Sequence, residues 1–287
     1  MTGSRSKPFL TIVEVFPPSF STEVSREPVF GIRQKKRDFV ERVKRIRYLA
    51  DAILVADVKD TSRFKLSSVQ SAALLRDSIG IEAIPVITAR DSNRSGVFSA
   101  ILTAFSLGLD HLMLVWGDRY AEGDGATNVY DFASLAELIS AAKRLGERSG
   151  VKCTIFAPVD TSRLGTTRGR EVAASRLASG AAYLLAQPPT TDTISSLANQ
   201  EKALTELGLK GSVIPNVFPF RDAADIRSCR TKFGWEIPER MVEMASRGES
   251  ALLAEAKKVV RTVRERGFPG VYVSTRGHPE LARYVLG

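Results

Sequence analysis

The chain is poor in the residues that build redox clips and most nucleophilic sites: two cysteines and two histidines in 287 residues. Cys153 and Cys229 fit no metal-ligand spacing and read as reduced thiols. With only His111 and His278 present, most Ser-His and Cys-His machinery and most zinc chemistry are excluded. No apolar run approaches the roughly 20 residues that span a bilayer, and Met1–Phe9 lacks the apolar core of a signal peptide. A soluble, cytoplasmic protein is expected, with no membrane partner. There is no glycine-rich phosphate loop after the first apolar run, where Phe16-Pro17-Pro18 stand instead. Zinc-finger spacings and RNA-binding aromatic motifs are missing too, so nucleic acid is not an expected partner.

What the chain does have is alternation. Short β-branched apolar runs fall at Phe9–Phe16, Ala52–Val58, Glu82–Arg90, His111–Asp118, Lys152–Val159, Ala181–Gln187, Ser212–Phe218 and Gly270–Thr275. Between them lie stretches of helical periodicity such as Ser67–Ser78, Ser95–Leu107, Asp131–Arg148 and Thr193–Leu207. Alternation of this kind implies parallel strands with right-handed crossovers, and near-continuous apolar strands imply cover on both faces. Eight units favour a closed α/β barrel, a (β/α)₈ TIM barrel, over an open doubly wound sheet, at a length close to the roughly 250 residues such barrels use. No linker divides the sequence, so residues 1–287 are expected to form a single domain. The seventh crossover is the longest, with Asp222–Phe233, Pro238–Ala245 and Glu249–Arg266 all helical in pattern. A net charge of +9 raises the prospect of an anionic small molecule. The densest basic run, Arg33–Arg47, sets Phe39, Val43, Ile46 and Leu49 on one helical stripe, and its cations read as a solvated outer face.

Active sites of such barrels form at the C-terminal ends of the strands. Glu14 lies inside the apolar TIVEVF run. If Val13 and Val15 face the helices, it points into the barrel, where burial raises a carboxyl pKa and suits a general acid. Further polar groups stand at other strand ends: Asp57, then Thr88, Arg90 and Asp91, then Trp116-Gly117-Asp118, Gln187 and Asn216. Together they predict a polar mouth without His or Cys. Asp57 reads equally as a turn cap. His111 reads as structural at the opposite end, and His278 as a cap or a ligand contact.

The set VEVFPP (Val13–Pro18), EAIPVITARDSNRSG (Glu82–Gly96), LGLDHLMLVWGD (Leu107–Asp118), SGAAYLLAQP (Ser179–Pro188), VIPNVFPF (Val213–Phe220) and GVYVSTRGHPELARYVL (Gly270–Leu286) resembles methylenetetrahydrofolate reductase over nearly the whole chain. The resemblance implies reduction of a methylene group on a reduced pterin, tetrahydrofolate or a related one-carbon carrier, to the 5-methyl form by hydride transfer. It implies Glu14 as the acid that opens the methylene bridge and Asp118 as a catalytic aspartate near the pterin. Gln187, with Asp57 and Asn216, would bind substrate. It further implies FAD, with Thr88, Arg90, Asp91, Trp116, Gly117 and Arg176 on the cofactor side and Arg176 neutralising its phosphate. NAD(P)H or another reductant would supply the hydride. No metal is implied. A homo-oligomer and an electron-donor partner are further expectations. The departures gather at cofactor positions: Val86 for a His, Ala157 for an aromatic, Thr161 and Gly169 at ribose and phosphate contacts, Cys229 for a Phe and His278 for an Arg. A pterin-dependent methyltransferase barrel and a flavin-free pterin-binding subunit remain alternatives for the same acid and amides.

Overall fold

The computed structural model describes residues 9–21, 29–57, 59, 63–124, 126–187, 201–202 and 204–287. The first strand, β1 (Leu10–Val15), leads through a short strand, β2 (Ser19–Ser21), into helix α1 (Val29–Lys44). Next come β3 (Ala52–Val55), the short β4 (Arg63–Lys65) and α2 (Ser68–Ile79). Strand and helix then alternate as β5 (Glu82–Thr88), α3 (Arg94–Ser106), β6 (His111–Val115), α4 (Leu135–Arg148), β7 (Thr154–Asp160), α5 (Thr167–Ala178) and β8 (Tyr183–Gln187). The last part runs β9 (Val213–Ile214), β10 (Asn216–Val217), α6 (Ala223–Phe233), α7 (Glu239–Ser246), α8 (Glu249–Glu265), β11 (Gly270–Val273) and α9 (Leu281–Leu286).

The main sheet is parallel, in the order β10-β11-β1-β3-β5-β6-β7-β8-β9. Its two ends are consecutive pieces of one stretch interrupted at Pro215, which has no N–H to donate. On one side Val213 pairs with Leu184, and on the other Asn216 pairs with Tyr272. The Pro215 carbonyl still accepts from the Tyr272 N–H at 2.9 Å. Nine strand segments therefore make eight staves, and the sheet closes into the expected (β/α)₈ barrel.

Alternation along each strand splits the apolar residues into two layers. Ile12, Leu54, Ile84, Met113, Phe156, Leu185, Ile214 and Tyr272 fill the barrel. Each contributes roughly 1.5–3 kcal/mol of transfer free energy. Their neighbours, Val13, Val15, Ile53, Val55, Ile87 and Leu114 among them, face the helices. Phe39 and Val43 of α1, and Ile46 in the turn after it, pack on that outer layer with Leu49 partly buried beside them, so the apolar stripe of the basic run is realised. The long seventh crossover has its own small core of Phe218, Phe220, Ile226, Cys229, Ile237, Met241 and Leu252.

One boundary differs from expectation for a local reason. The helix after β6 begins at Leu135, not at Asp131. Ser134 accepts from the Glu137 N–H at 3.2 Å, while Glu137 reaches back to the Ala133 N–H at 2.7 Å. This reciprocal cap fixes the start and frees Asp131 to accept from the Arg94 N–H at 2.8 Å. The predicted helix over 193–207 lies largely outside the described residues. Among the described residues no helix is long and apolar enough to cross a membrane.

Candidate active site

At the C-terminal end of the barrel the interior positions turn polar. Two residues beyond Ile12, Val86, Leu185, Ile214 and Tyr272 stand Glu14, Thr88, Gln187, Asn216 and Ser274, and strand alternation sets all five on the inner face. Glu14 sits as its spacing predicts, between the helix-facing Val13 and Val15. Its carboxylate accepts from the Tyr272 hydroxyl and from the Ser274 hydroxyl, the latter at 2.9 Å. Burial pushes its pKa above the usual carboxylate range. The hydrogen bonds from Tyr272 and Ser274, and the Arg276 backbone and charge, oppose that shift without cancelling it. Burial and the neighbouring Glu14 push the Tyr272 hydroxyl well above its usual value, so it stays a proton donor. The Glu14 carbonyl is held by the Thr275 hydroxyl at 2.7 Å, which fixes the strand that carries the acid.

Tyr272 and Ser274 are the residues that sequence reasoning missed. Their signal was an i, i+2 pair of hydroxyls on the last strand. It carries meaning only once closure makes β11 the neighbour of β1.

Asn216 and Thr88 are 1% and 8% exposed. Neither the Asn216 amide oxygen and nitrogen nor the Thr88 hydroxyl has a hydrogen-bond partner. Each unpaired buried group costs about 1–3 kcal/mol, so folding alone gives no reason to keep them. An amide offering donor and acceptor side by side matches the edge of a pterin ring. Gln187 ends β8 half-buried, and its carbonyl accepts from the Thr161 hydroxyl at 3.2 Å.

The structure does not bring the other candidates into the barrel. Asp57 follows the inward Ala56, so it turns away and pairs with Lys65 at 2.9 Å, pinning β4 beside the mouth. Arg90, 2% exposed, grips Asp91 with two hydrogen bonds of 2.7 and 2.6 Å and donates to the Asp118 carbonyl at 3.1 Å. Tyr120 donates to Asp91 at 2.8 Å and lies against the Arg90 guanidinium, 4.5 Å away. Burial disfavours both charges, yet the pair holds Arg90 above and Asp91 below their ordinary pKa values. This cluster braces the loop that presents Asp118, whose side chain is exposed at the rim. Trp116 packs on the outer layer and stacks on Tyr130, ring centroids 5.0 Å apart. The Arg176 guanidinium donates to the Pro158 carbonyl.

Gly117 has a left-handed backbone, φ 84°, and a Cβ there would meet the Thr88 methyl at 2.5 Å and the Arg90 Cβ at 3.0 Å. Strain and overpacking together predict that Gly117→Ala costs about 2–5 kcal/mol. Urea unfolding measures it, and a loss under about 1 kcal/mol would show that the turn relaxes.

A barrel with a buried acid at the C-terminal end of β1, and with unpartnered amide and hydroxyl groups at the same end of β10 and β5, defines a candidate small-molecule site of the (β/α)₈ class. The family model described as methylenetetrahydrofolate reductase matches residues 5–263. The chain belongs to that family. No curated protein sequence matches it. Among solved structures it is similar to an uncharacterized protein from Clostridium thermocellum that binds two copies of 5-methyl-5,6,7,8-tetrahydrofolic acid. That pair has 14% identity and a TM-score of 0.60, covering 96% of this chain and 94% of that one. A 2,3-dimethylmalate lyase is similar at 11% identity and TM-score 0.54, covering 97% and 77%. An oxaloacetate acetylhydrolase gives 11% and 0.54, covering 96% and 79%. At these identities the likeness shows the barrel fold.

The residues present fit a flavin dinucleotide poorly. The two arginines expected on the cofactor side are committed elsewhere, Arg90 to Asp91 and Arg176, expected on the phosphate, to the Pro158 carbonyl. Gly169 is a packing glycine, since a Cβ there would lie 2.0 Å from the Arg163 carbonyl oxygen. Thr88 alone of the expected cofactor positions offers a buried group without a partner.

Proposed function

We propose that this protein reduces the methylene group of a 5,10-methylene reduced pterin to the 5-methyl form, with Glu14 as proton donor. The observation that carries this reading is a carboxyl of raised pKa inside the barrel mouth, held by two hydroxyls on a strand adjacent to the one that presents an unpartnered amide. Asn216 and Gln187 read the donor–acceptor edge of the pterin, and Asp118 approaches it from the rim. Glu14 gives its proton to the N10 amine of the bridge. The C–N10 bond breaks, its electron pair stays on nitrogen, and the methylene remains on N5 as an iminium. Hydride from a reduced nicotinamide then completes the methyl group and leaves the nicotinamide oxidised. Glu14 regains its proton from solvent. No step is routed through a flavin, since the cofactor-side arginines, Arg90 and Arg176, are occupied.

The purified protein with 5,10-methylenetetrahydrofolate and NADH or NADPH, with and without added FAD, is expected to yield 5-methyltetrahydrofolate by mass spectrometry, with and without FAD. Binding of the pterin without any 5-methyl product under all four conditions would reduce the protein to a pterin-binding subunit.

A further inference from the structure

Asp118 reaches the rim without a hydrogen bond or ion pair to its carboxylate among the described residues, so its direction is set by the backbone around it. Tyr130, later in the same connection between β6 and α4, meets that backbone on both sides. Its hydroxyl donates to the Gly117 carbonyl at 2.8 Å. Its ring stacks on Trp116 at an interplanar angle of 17°, and the Arg119 guanidinium lies 5.5 Å from its centroid. The Gly117 carbonyl belongs to the peptide plane that also carries the Asp118 N–H. The plane on the other side of the Asp118 Cα is held as well, by Arg90 donating to the Asp118 carbonyl at 3.1 Å. With both planes bonded, the two backbone dihedrals that aim Asp118 are fixed.

Tyr130 is also one of two non-glycine residues of the described chain with a left-handed backbone, φ 42°. A Cβ in that conformation crowds the following carbonyl oxygen, whereas glycine adopts it freely. Its neighbours enforce it: the Val129 N–H donates to the Arg90 carbonyl at 2.9 Å, and Asp131 accepts from the Arg94 N–H at 2.8 Å. Strain of this kind persists where the surroundings over-determine it, and it gathers at ligand sites. A glycine would make the turn at lower cost. What it lacks is the ring and the hydroxyl. Burial pushes that hydroxyl's pKa up, with the charges of Asp118 and Asp91 adding to the shift against the pull of Arg90 and Arg119, so it stays a proton donor. We infer that Tyr130 is a positioning residue: its hydroxyl and ring hold the Trp116–Arg119 turn in the conformation that directs Asp118 at a bound pterin. It acts through Asp118 and not by touching the ligand. The inference rests on the pterin reading of the site.

A double-mutant cycle on the full chain tests it, with Kd for 5-methyltetrahydrofolate measured by fluorescence titration for wild type, Tyr130→Phe, Asp118→Ala and the double variant. Phenylalanine keeps a ring against Trp116 and removes only the bond to the Gly117 carbonyl. In the wild-type background Tyr130→Phe is expected to weaken binding by about three- to tenfold, the range for one hydrogen bond. In the Asp118→Ala background the same change is expected to stay within about twofold, because no carboxylate is left to aim; such non-additivity marks residues that act through one another. Melting curves on the same four proteins separate a role in the fold. A tyrosine kept only for the loop would lower the melting temperature and leave Kd unchanged in both backgrounds, and that result would overturn the inference. Equal losses of affinity in the two backgrounds would overturn it too, as would an Asp118→Ala variant that binds like the wild type, each with the pterin reading intact. A wild type that binds no 5-methyltetrahydrofolate at millimolar concentration would instead overturn the pterin reading itself, and the inference with it.

Discussion

Replacing Glu14 by Gln is expected to lower turnover of a methylene-pterin by about 10²–10⁴-fold, the usual range for a positioned general acid, while the barrel stays folded. The amide is nearly isosteric with the carboxyl; its oxygen can accept from one of the two hydroxyls, and its NH₂ can donate to the other, since a hydroxyl also accepts, so substrate affinity should change little. The loss therefore falls on kcat. The pH dependence sharpens the expectation. Burial raises the pKa of Glu14 in the folded state, so the protonated form is favoured by folding. The stability this group contributes is complete below the ordinary carboxylate range and is lost as pH rises through the raised value. Wild-type kcat/KM should fall over that same upper range as the acid ionises, and Glu14→Gln should show no such limb. The melting temperature of the variant should equal or exceed that of the wild type at high pH, because no buried charge has to form. A variant that keeps most of the wild-type rate, or a wild-type profile flat from the carboxylate range upward, would remove Glu14 from the proton step.

The legible part of this protein was the part governed by period. Strand–helix alternation identified eight staves, and the flanking valines told correctly which way Glu14 points, because a strand offers only two directions. Pro215 within the seventh run was compatible with that stave only by splitting its hydrogen bonds between two neighbours, which no local pattern announces. The less legible part lay where side chains leave regular structure. Arg90 and Asp91 follow the last residue of β5, and adjacent opposite charges at a strand end read equally well as ligand contacts or as an internal pair. Tyr120, 30 residues along the chain from Arg90, makes them a pair. Trp116 falls on the outward parity of β6, since Met113 and Val115 face inward, so alternation already argued against its touching a bound ring. Arg176 sits in a helix whose outer and inner faces differ little in composition. Only packing showed that its guanidinium turns back to the Pro158 carbonyl. Asn216 was selected as a polar strand end, and its significance grew once both amide atoms proved buried and unpaired.

That isolation gives Asn216 an opposite pair of expected effects. Asn216→Leu removes a donor and an acceptor that the folded protein leaves unmatched at 1% exposure, and substitution of such a group by an apolar side chain of similar shape is neutral or stabilising. The variant should melt at the same temperature as the wild type or higher. Ile214 lies two residues before it on the same side and the Tyr272 ring pairs with it in register, so a leucine finds apolar contacts there in place of an unmet hydrogen-bonding demand. Pterin binding should move the other way. Two hydrogen bonds to the ring edge, at about 0.5–1.5 kcal/mol each, amount to about 1–3 kcal/mol, roughly 5- to 150-fold in Kd. Fluorescence titration with 5-methyltetrahydrofolate and a melting curve on the same samples measure both. A residue kept for the fold would lose melting temperature with Kd unchanged. A residue kept for the ligand against the interest of the fold shows the reverse, and it is the reverse that an orphaned amide beside a buried acid predicts.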